Sequence, residues 1–143
     1  MFKKNKNIII GAIHFPPLFG YSEFPGLDVC LKNALEDLKA FEYGGVDGII
    51  IENNYDIPHK ILVEKETIDL MIKLGKEIKN KTTLPLGVSV LWNDCKAALL
   101  ISKEIKAEFI RVPVFIDDVK TNYGDIFANP KEILEYRKNA LVS

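Results

Sequence analysis

Four short apolar runs punctuate this chain, and each gives way to polar residues before a stretch of helical periodicity begins. The runs are Ile8–Ile13 ending at His14, Gly48–Ile51 ending at Glu52-Asn53, Leu86–Leu91 leading to Asn93-Asp94, and Phe109–Val114 carrying Arg111. Continuous apolar strands suit a parallel sheet, and polar groups at their C-terminal ends lie where βα architectures place their chemistry. The first helix is expected over about Leu27–Tyr43, with Leu31, Leu35, Leu38 and Phe41 on one face and Gly44-Gly45 as its stop. A second covers roughly Lys65–Asn80, and a third starts after Asn93 or Asp94 and turns Ala97, Ala98, Ile101 and Ile105 inward. The fourth has the clearest start: Asn129 as N-cap, Pro130 at the first helical position and Glu132 three residues after the cap.

Strand–helix alternation of this kind means parallel strands joined by right-handed crossovers. Counting by twos, His14 shares a face with Ala12, Ile10 and Ile8; Glu52 with Ile50 and Gly48; Asn93 with Leu91, Ser89 and Gly87; Arg111 with Phe109 and Pro113. With those faces inward, one layer of polar tips caps an apolar interior, the layering of a (β/α)8 barrel. The alternative is an open, doubly wound α/β sheet.

Composition narrows the function classes. The chain has 143 residues, is 48% hydrophobic and 27% charged, and carries a formal net charge of -1. That is one globular domain's worth of chain, with no electrostatic footprint for nucleic acid. The apolar stretch after Lys3, Lys4 and Lys6 ends at Ile13, too short to span a membrane. Cys30 and Cys95 lie far apart without a CxxC or Cys/His cluster, so neither a zinc site nor a disulfide framework is indicated and a cytoplasmic location is expected. Cys95 near a helix N-terminus would favour a thiolate, but Asp94 beside it opposes that, and both cysteines read as packing residues.

The stretches Ile10-Gly11-Ala12-Ile13-His14-Phe15-Pro16-Pro17-Leu18, Gly44-Gly45-Val46-Asp47-Gly48-Ile49-Ile50-Ile51-Glu52-Asn53, Pro85 through Asp94 and Phe109-Ile110-Arg111-Val112 resemble the N-terminal half of the BtpA family, which includes SgcQ-like proteins. The resemblance runs from about Ile8 to Arg137 and implies a TIM-type barrel. It implies two settings: photosystem I biogenesis, in which photosynthetic members are membrane-associated accessory proteins, and a sugar-metabolism setting attached to SgcQ-like members.

A complete barrel needs roughly 250 residues. Four βα units and the start of a fifth strand at Ala140-Leu141-Val142 are expected from residues 1–143, a single partial barrel domain, so a truncated product, a fragment or half of a split protein is inferred. Ile8, Ile10, Ile50, Leu91 and Phe109 would then be left uncovered, and pairing with a second copy or with a missing C-terminal half is expected.

Glu52 is the strongest catalytic candidate, since desolvation of a carboxylate after buried residues suits general acid/base work; an ion pair with Arg111 is the competing reading. His14 is the second catalytic candidate, as base, proton donor or metal ligand, against a histidine held by local hydrogen bonds. Arg111, one of two arginines, offers a fork for a carboxylate or phosphate. Asn53, Asn93 and Asp94 are the remaining ligand-binding candidates, with helix capping the other role for Asn93 or Asp94. No metal site or cofactor is specified. The long loops Phe15–Gly26 and Phe115–Ala128, the latter including Tyr123, are lid candidates. A small-molecule enzyme acting on a sugar or sugar phosphate, a noncatalytic assembly factor and an inactive half are the three functional expectations; an amphipathic surface helix rich in Lys and Trp would favour membrane docking, and none is found.

Overall fold

The computed structural model describes residues 2–3, 6–122 and 124–141. Strands β1 (Ile10–His14), β2 (Gly48–Glu52), β3 (Leu86–Ser89) and β4 (Phe109–Ile110) alternate with helices α1 (Leu27–Gly44), α2 (Lys65–Lys79), α3 (Cys95–Ile105) and α4 (Pro130–Leu141). The four strands are parallel and lie in the order β1-β2-β3-β4. A doubly wound sheet reverses its strand order at a switch point. Here each strand lies beside the one before it, so every crossover returns on the same side, and the four βα units form half of a TIM-type barrel.

Burial alternates as that architecture requires. Ile13, Ile49, Ile51, Leu86 and Val88 face the helices and join Cys30, Ala34 and Leu38 of α1, Met71, Leu74 and Ile78 of α2, and Ala97, Ala98, Ile101 and Ile105 of α3 in one core. Each fully buried aliphatic side chain of this size is worth roughly 1.5–3 kcal/mol. On that side Gly11 admits the Phe41 ring, which would lie 2.6 Å from a Cβ there. Helix α1 stops where Gly45 takes up φ 73° and its N–H reaches back to Glu42.

The concave face is better covered than the sequence suggests. Ile8 and Ile10 are exposed, but Ile50 and Leu91 are buried. Phe109 lies across Gly87 and Phe2 across Gly48, with the two rings 5.7 Å apart, so aromatic side chains plug the lower end of the half-barrel.

Several elements differ from expectation. The third and fourth strands end at Ser89 and Ile110 rather than Leu91 and Val114; Pro113 has no N–H to donate to a ladder. The loop after β4 contains a small antiparallel hairpin, β5 (Val119–Thr121) and β6 (Gly124–Ile126), while Tyr123 lies outside the described residues. Ala140-Leu141 do not open a fifth strand but continue α4, as two of the best helix formers following a segment without Gly or Pro, and Val142 lies outside the described residues.

Candidate functional site

The register of the sheet sets up one row of side chains at its C-terminal end. His14 lies opposite Glu52, and Glu52 opposite Ser89. Val88 pairs with Ile110, so Arg111 comes level with Ser89, and its N–H donates to the Val88 carbonyl at 3.0 Å. All four belong to the concave set, so no helix packs over them.

Glu52 joins three of the four. Its carboxylate is 3% exposed; Oε1 accepts from Arg111 Nη1 at 2.5 Å and Oε2 lies 3.2 Å from His14 Nε2. A carboxylate accepts only, so a proton on Nε2 suits this contact, and Nδ1 lies on the other side of the ring. Arg111 spends one guanidinium nitrogen on Glu52 and, among the described residues, keeps two others, and its side chain is about half exposed. The ion pair anticipated as the alternative role of Glu52 is therefore present, and the same carboxylate also lies against His14.

The remaining member of the row is not singled out by the sequence. Strand periodicity puts Ser89 on the inward face, but it gives the polar tip of that strand to Asn93 because the apolar run continues to Leu91. Pairing ends at Ser89, which is fully buried, with an Oγ that has no hydrogen-bond partner among the described residues.

Asn93 sits beyond the row and holds the chain after β4: its Oδ1 accepts from Val114 N–H and its Nδ2 donates to the Val114 carbonyl, both at 3.0 Å. Asp94 caps α3, accepting from Ala97 N–H with Oδ1 and from Val63 N–H with Oδ2, again at 3.0 Å. Asn53, 1% exposed, accepts from Leu91 N–H at 2.8 Å and donates to Asp56 Oδ2 at 3.2 Å. These three side chains are engaged by the loop backbone rather than turned together with His14, Glu52 and Arg111.

Asp56 is a second residue the sequence does not reveal. It is completely buried and accepts from Leu18 N–H at 2.7 Å, tying the loop after β1 to the loop after β2. Burial pushes its carboxyl above the ordinary aspartate range, while the Leu18 and Asn53 bonds pull the other way. Burial also raises the Tyr21 phenol, with the Asp56 charge adding to the effect. Cys30 and Cys95 are both buried free thiols; burial, then the Asp94 charge, pushes Cys95 up to about 11.

An open groove of about 510 Å³ runs beside the row along the free side of β1, bordered by Ala12, His14, Asn33, Asp37, Phe41 and Tyr55. The Tyr55 ring stands edge-on to His14 with centroids 6.3 Å apart. On its far side Tyr55 also borders a second depression of about 370 Å³ with Pro17, Tyr21 and Ile57. The hairpin after β4 leans back over the mouth, because Ile61 of the β2–α2 loop lies 3.1 Å from where a Cβ would stand on Gly124. Among the described residues no group of three or more His, Cys, Asp or Glu side chains forms a metal-ligand set, and no helix is long and apolar enough to cross a membrane.

Residues 5–142 match the BtpA family. The chain is 39% identical over 134 residues to an uncharacterized protein of Pyrococcus horikoshii, covering 93% of this chain and 52% of that one. It is 36% identical over 134 residues to the photosystem I biogenesis protein BtpA of Synechocystis, covering 92% and 47% of the two. It is 27% identical over 132 residues to a protein of Escherichia coli named SgcQ for the sgc region, covering 90% and 48%. The chain thus spans about half the length of these relatives. No solved structure matches it.

Proposed function

Since the chain belongs to the BtpA family, with its polar row at the end of the sheet where barrel enzymes keep their chemistry, we propose that it contributes one wall of a barrel enzyme that moves protons on a small polar substrate of the sugar or sugar-phosphate class. The observation that carries this reading is the single buried carboxylate of Glu52 holding both His14 and Arg111. In this scheme His14 Nδ1 takes a proton from carbon next to a carbonyl or returns one to oxygen. Glu52 fixes the tautomer of the ring and stabilises the imidazolium as it forms. The two uncommitted nitrogens of Arg111 take up a phosphate or carboxylate group of the substrate, and Tyr55 offers a ring face beside His14. Asn53, Asn93 and Asp94 serve this scheme by holding the loops around the row.

The setting is the cytoplasm, where Cys30 and Cys95 stay reduced. The row occupies one wall only, so four further parallel strands are needed for a closed site, supplied by a second copy or by a C-terminal half like that of the longer relatives.

Exchange of solvent deuterium tests the scheme across several sugars at once. The protein is incubated in D2O with fructose 6-phosphate, ribulose 5-phosphate and their unphosphorylated sugars, and proton NMR follows the position next to the carbonyl. Exchange in the unchanged protein, lost in His14→Asn and Glu52→Gln and weakened for phosphorylated sugars in Arg111→Lys, is the expected pattern. Exchange that is unaltered in all three variants would refute the assignment.

A further inference from the structure

We propose that Ser89 is a positioning residue for Glu52: when an anionic substrate group draws Arg111 off the carboxylate, the Ser89 hydroxyl turns to Glu52 and takes over as its donor. This rests on the assignment above of Arg111 as the group that meets a phosphate or carboxylate. The starting observation is that the Ser89 hydroxyl is fully buried and has no hydrogen-bond partner among the described residues. Side chains and backbone of this chain enclose it, so further strands do not supply its partner. Buried hydroxyls are ordinarily bonded, and an orphan in the middle of a polar row points to a second arrangement in which it is used.

The register says which arrangement that is. Ser89 pairs with Glu52 on one side and comes level with Arg111 on the other. Neighbouring strands lie about 4.8 Å apart, so side chains at paired positions on one face are within reach of each other. A serine hydroxyl rotates to suit an acceptor, and a carboxylate offers about four lone-pair sites. In the observed arrangement Arg111 Nη1 reaches Oε1 at 2.5 Å and His14 Nε2 lies 3.2 Å from Oε2, which leaves the hydroxyl between the strands unused.

The two members of the ion pair differ in freedom. The Arg111 side chain is about half exposed, whereas that of Glu52 is buried. A phosphate or carboxylate is met best by two parallel N–H groups of the guanidinium fork, and turning the fork to it withdraws Nη1 from Glu52. The carboxylate cannot follow, and a buried charge stripped of one partner is strongly unfavourable. Ser89 supplies a donor on the vacated side, and a hydrogen bond to an ionised acceptor is stronger than one between neutral groups. Glu52 thereby keeps two donors and its place against His14 while Arg111 serves the ligand.

A double-mutant cycle tests the exchange without a ligand, and because stability rather than deuterium exchange is read, its failure is separate from that of the acid–base scheme. In the unchanged chain Ser89→Ala should keep or raise the urea midpoint. Arg111→Met and Arg111→Ala remove the competing donor, and in either background Ser89→Ala should lower the midpoint, a reversal of sign. Ser89→Thr keeps the hydroxyl and should hold the midpoint in the Arg111→Ala chain, where no guanidinium fills the space above it. Inorganic phosphate supplies the trigger in a second measurement. It should shift the Nε signal of Arg111, one of two arginines, in nitrogen NMR. Ser89→Ala should need about tenfold more phosphate for the same shift, the equivalent of one lost hydrogen bond to a charged group. A Ser89→Ala effect that is the same with and without Arg111, a Ser89→Thr chain no more stable than Ser89→Ala in the Arg111→Ala background, or an Arg111 signal that phosphate does not move would each overturn the exchange. A signal that phosphate moves equally in the unchanged chain and in Ser89→Ala would remove Ser89 from the site and leave Arg111 as its anion-binding group. Should neither arginine variant fold, the phosphate comparison decides alone.

Discussion

Arg111 reaches Glu52 across an intervening strand: β3 lies between β2 and β4, yet Nη1 of Arg111 ends 2.5 Å from Oε1 of Glu52. The residue crossed on the way is Ser89, level with both and fully buried. A small side chain at that position lets the guanidinium span the gap. Its hydroxyl has no partner among the described residues, and a buried polar group left unpaired costs roughly 1–3 kcal/mol. Ser89→Ala should therefore keep or raise stability, by up to about 1 kcal/mol. Ser89→Val adds bulk beneath the guanidinium and should cost about 1–3 kcal/mol. Urea denaturation of the two variants checks the pair, and a clear loss of stability in Ser89→Ala would mean that the hydroxyl is bonded in solution.

This row also shows what sequence pattern carries and where it stops. Strand periodicity puts His14, Glu52 and Arg111 on one face, because the period of two survives whatever the exact strand ends. Those ends are not legible: Leu86–Leu91 is apolar throughout, so nothing local says that pairing stops at Ser89, and the pattern gives the polar tip to Asn93 instead. Asn93 and Asp94 do carry a signal for capping, which Asp94 fulfils. Asp56 carries none, since burial of an aspartate in a loop depends on the Leu18 N–H arriving from another loop. The β5–β6 hairpin is hidden in the long loop Phe115–Ala128, which reads from the sequence only as a lid candidate.

Asp94 is the next position where a choice between binding and architecture can be measured. It satisfies two backbone N–H groups from separate segments, the first turn of α3 and the end of the β2–α2 loop. Loss of an N-cap costs about 0.5–2 kcal/mol, and the second orphaned donor adds to it. Asp94→Ala should lower stability by about 2–3 kcal/mol, and Asp94→Asn, which keeps an acceptor for Ala97, by about half as much. Thermal melts followed by circular dichroism test this; equal losses in the two variants would remove the capping explanation.

Gly87 and Phe109 offer a packing test on the concave face. A Cβ at Gly87 would stand 2.2 Å from the Phe109 ring, so Gly87→Ala must displace the ring that plugs the lower half-barrel. The expected cost is about 1–3 kcal/mol. Phe109→Leu removes the obstructing ring atoms, and adding Gly87→Ala to that background should cost at least about 1 kcal/mol less than it does alone. Additive losses in the double-mutant cycle would show that the two residues do not meet.

Asp56 should leave a signature in the pH dependence of stability. Its folded-state carboxyl is raised above the ordinary value of 3.8 because burial disfavours the charge. A folded state that holds a proton more tightly than the unfolded chain gains stability as pH falls, and the gain is complete once pH drops below the unfolded value. Its contribution is therefore present at about pH 3.8 and below and is lost as pH rises through the raised folded value. Asp56→Asn cannot titrate there, although it exchanges one acceptor for a donor facing Asn53 and is expected to be less stable at every pH. Against that variant, the unchanged protein should gain in relative stability between neutral pH and about pH 4. Urea midpoints for both proteins at several pH values in this window measure the difference. A constant difference would mean that Asp56 is not desolvated in the folded state, and a difference that shrinks as pH falls would mean that the bonds from Leu18 and Asn53 outweigh burial.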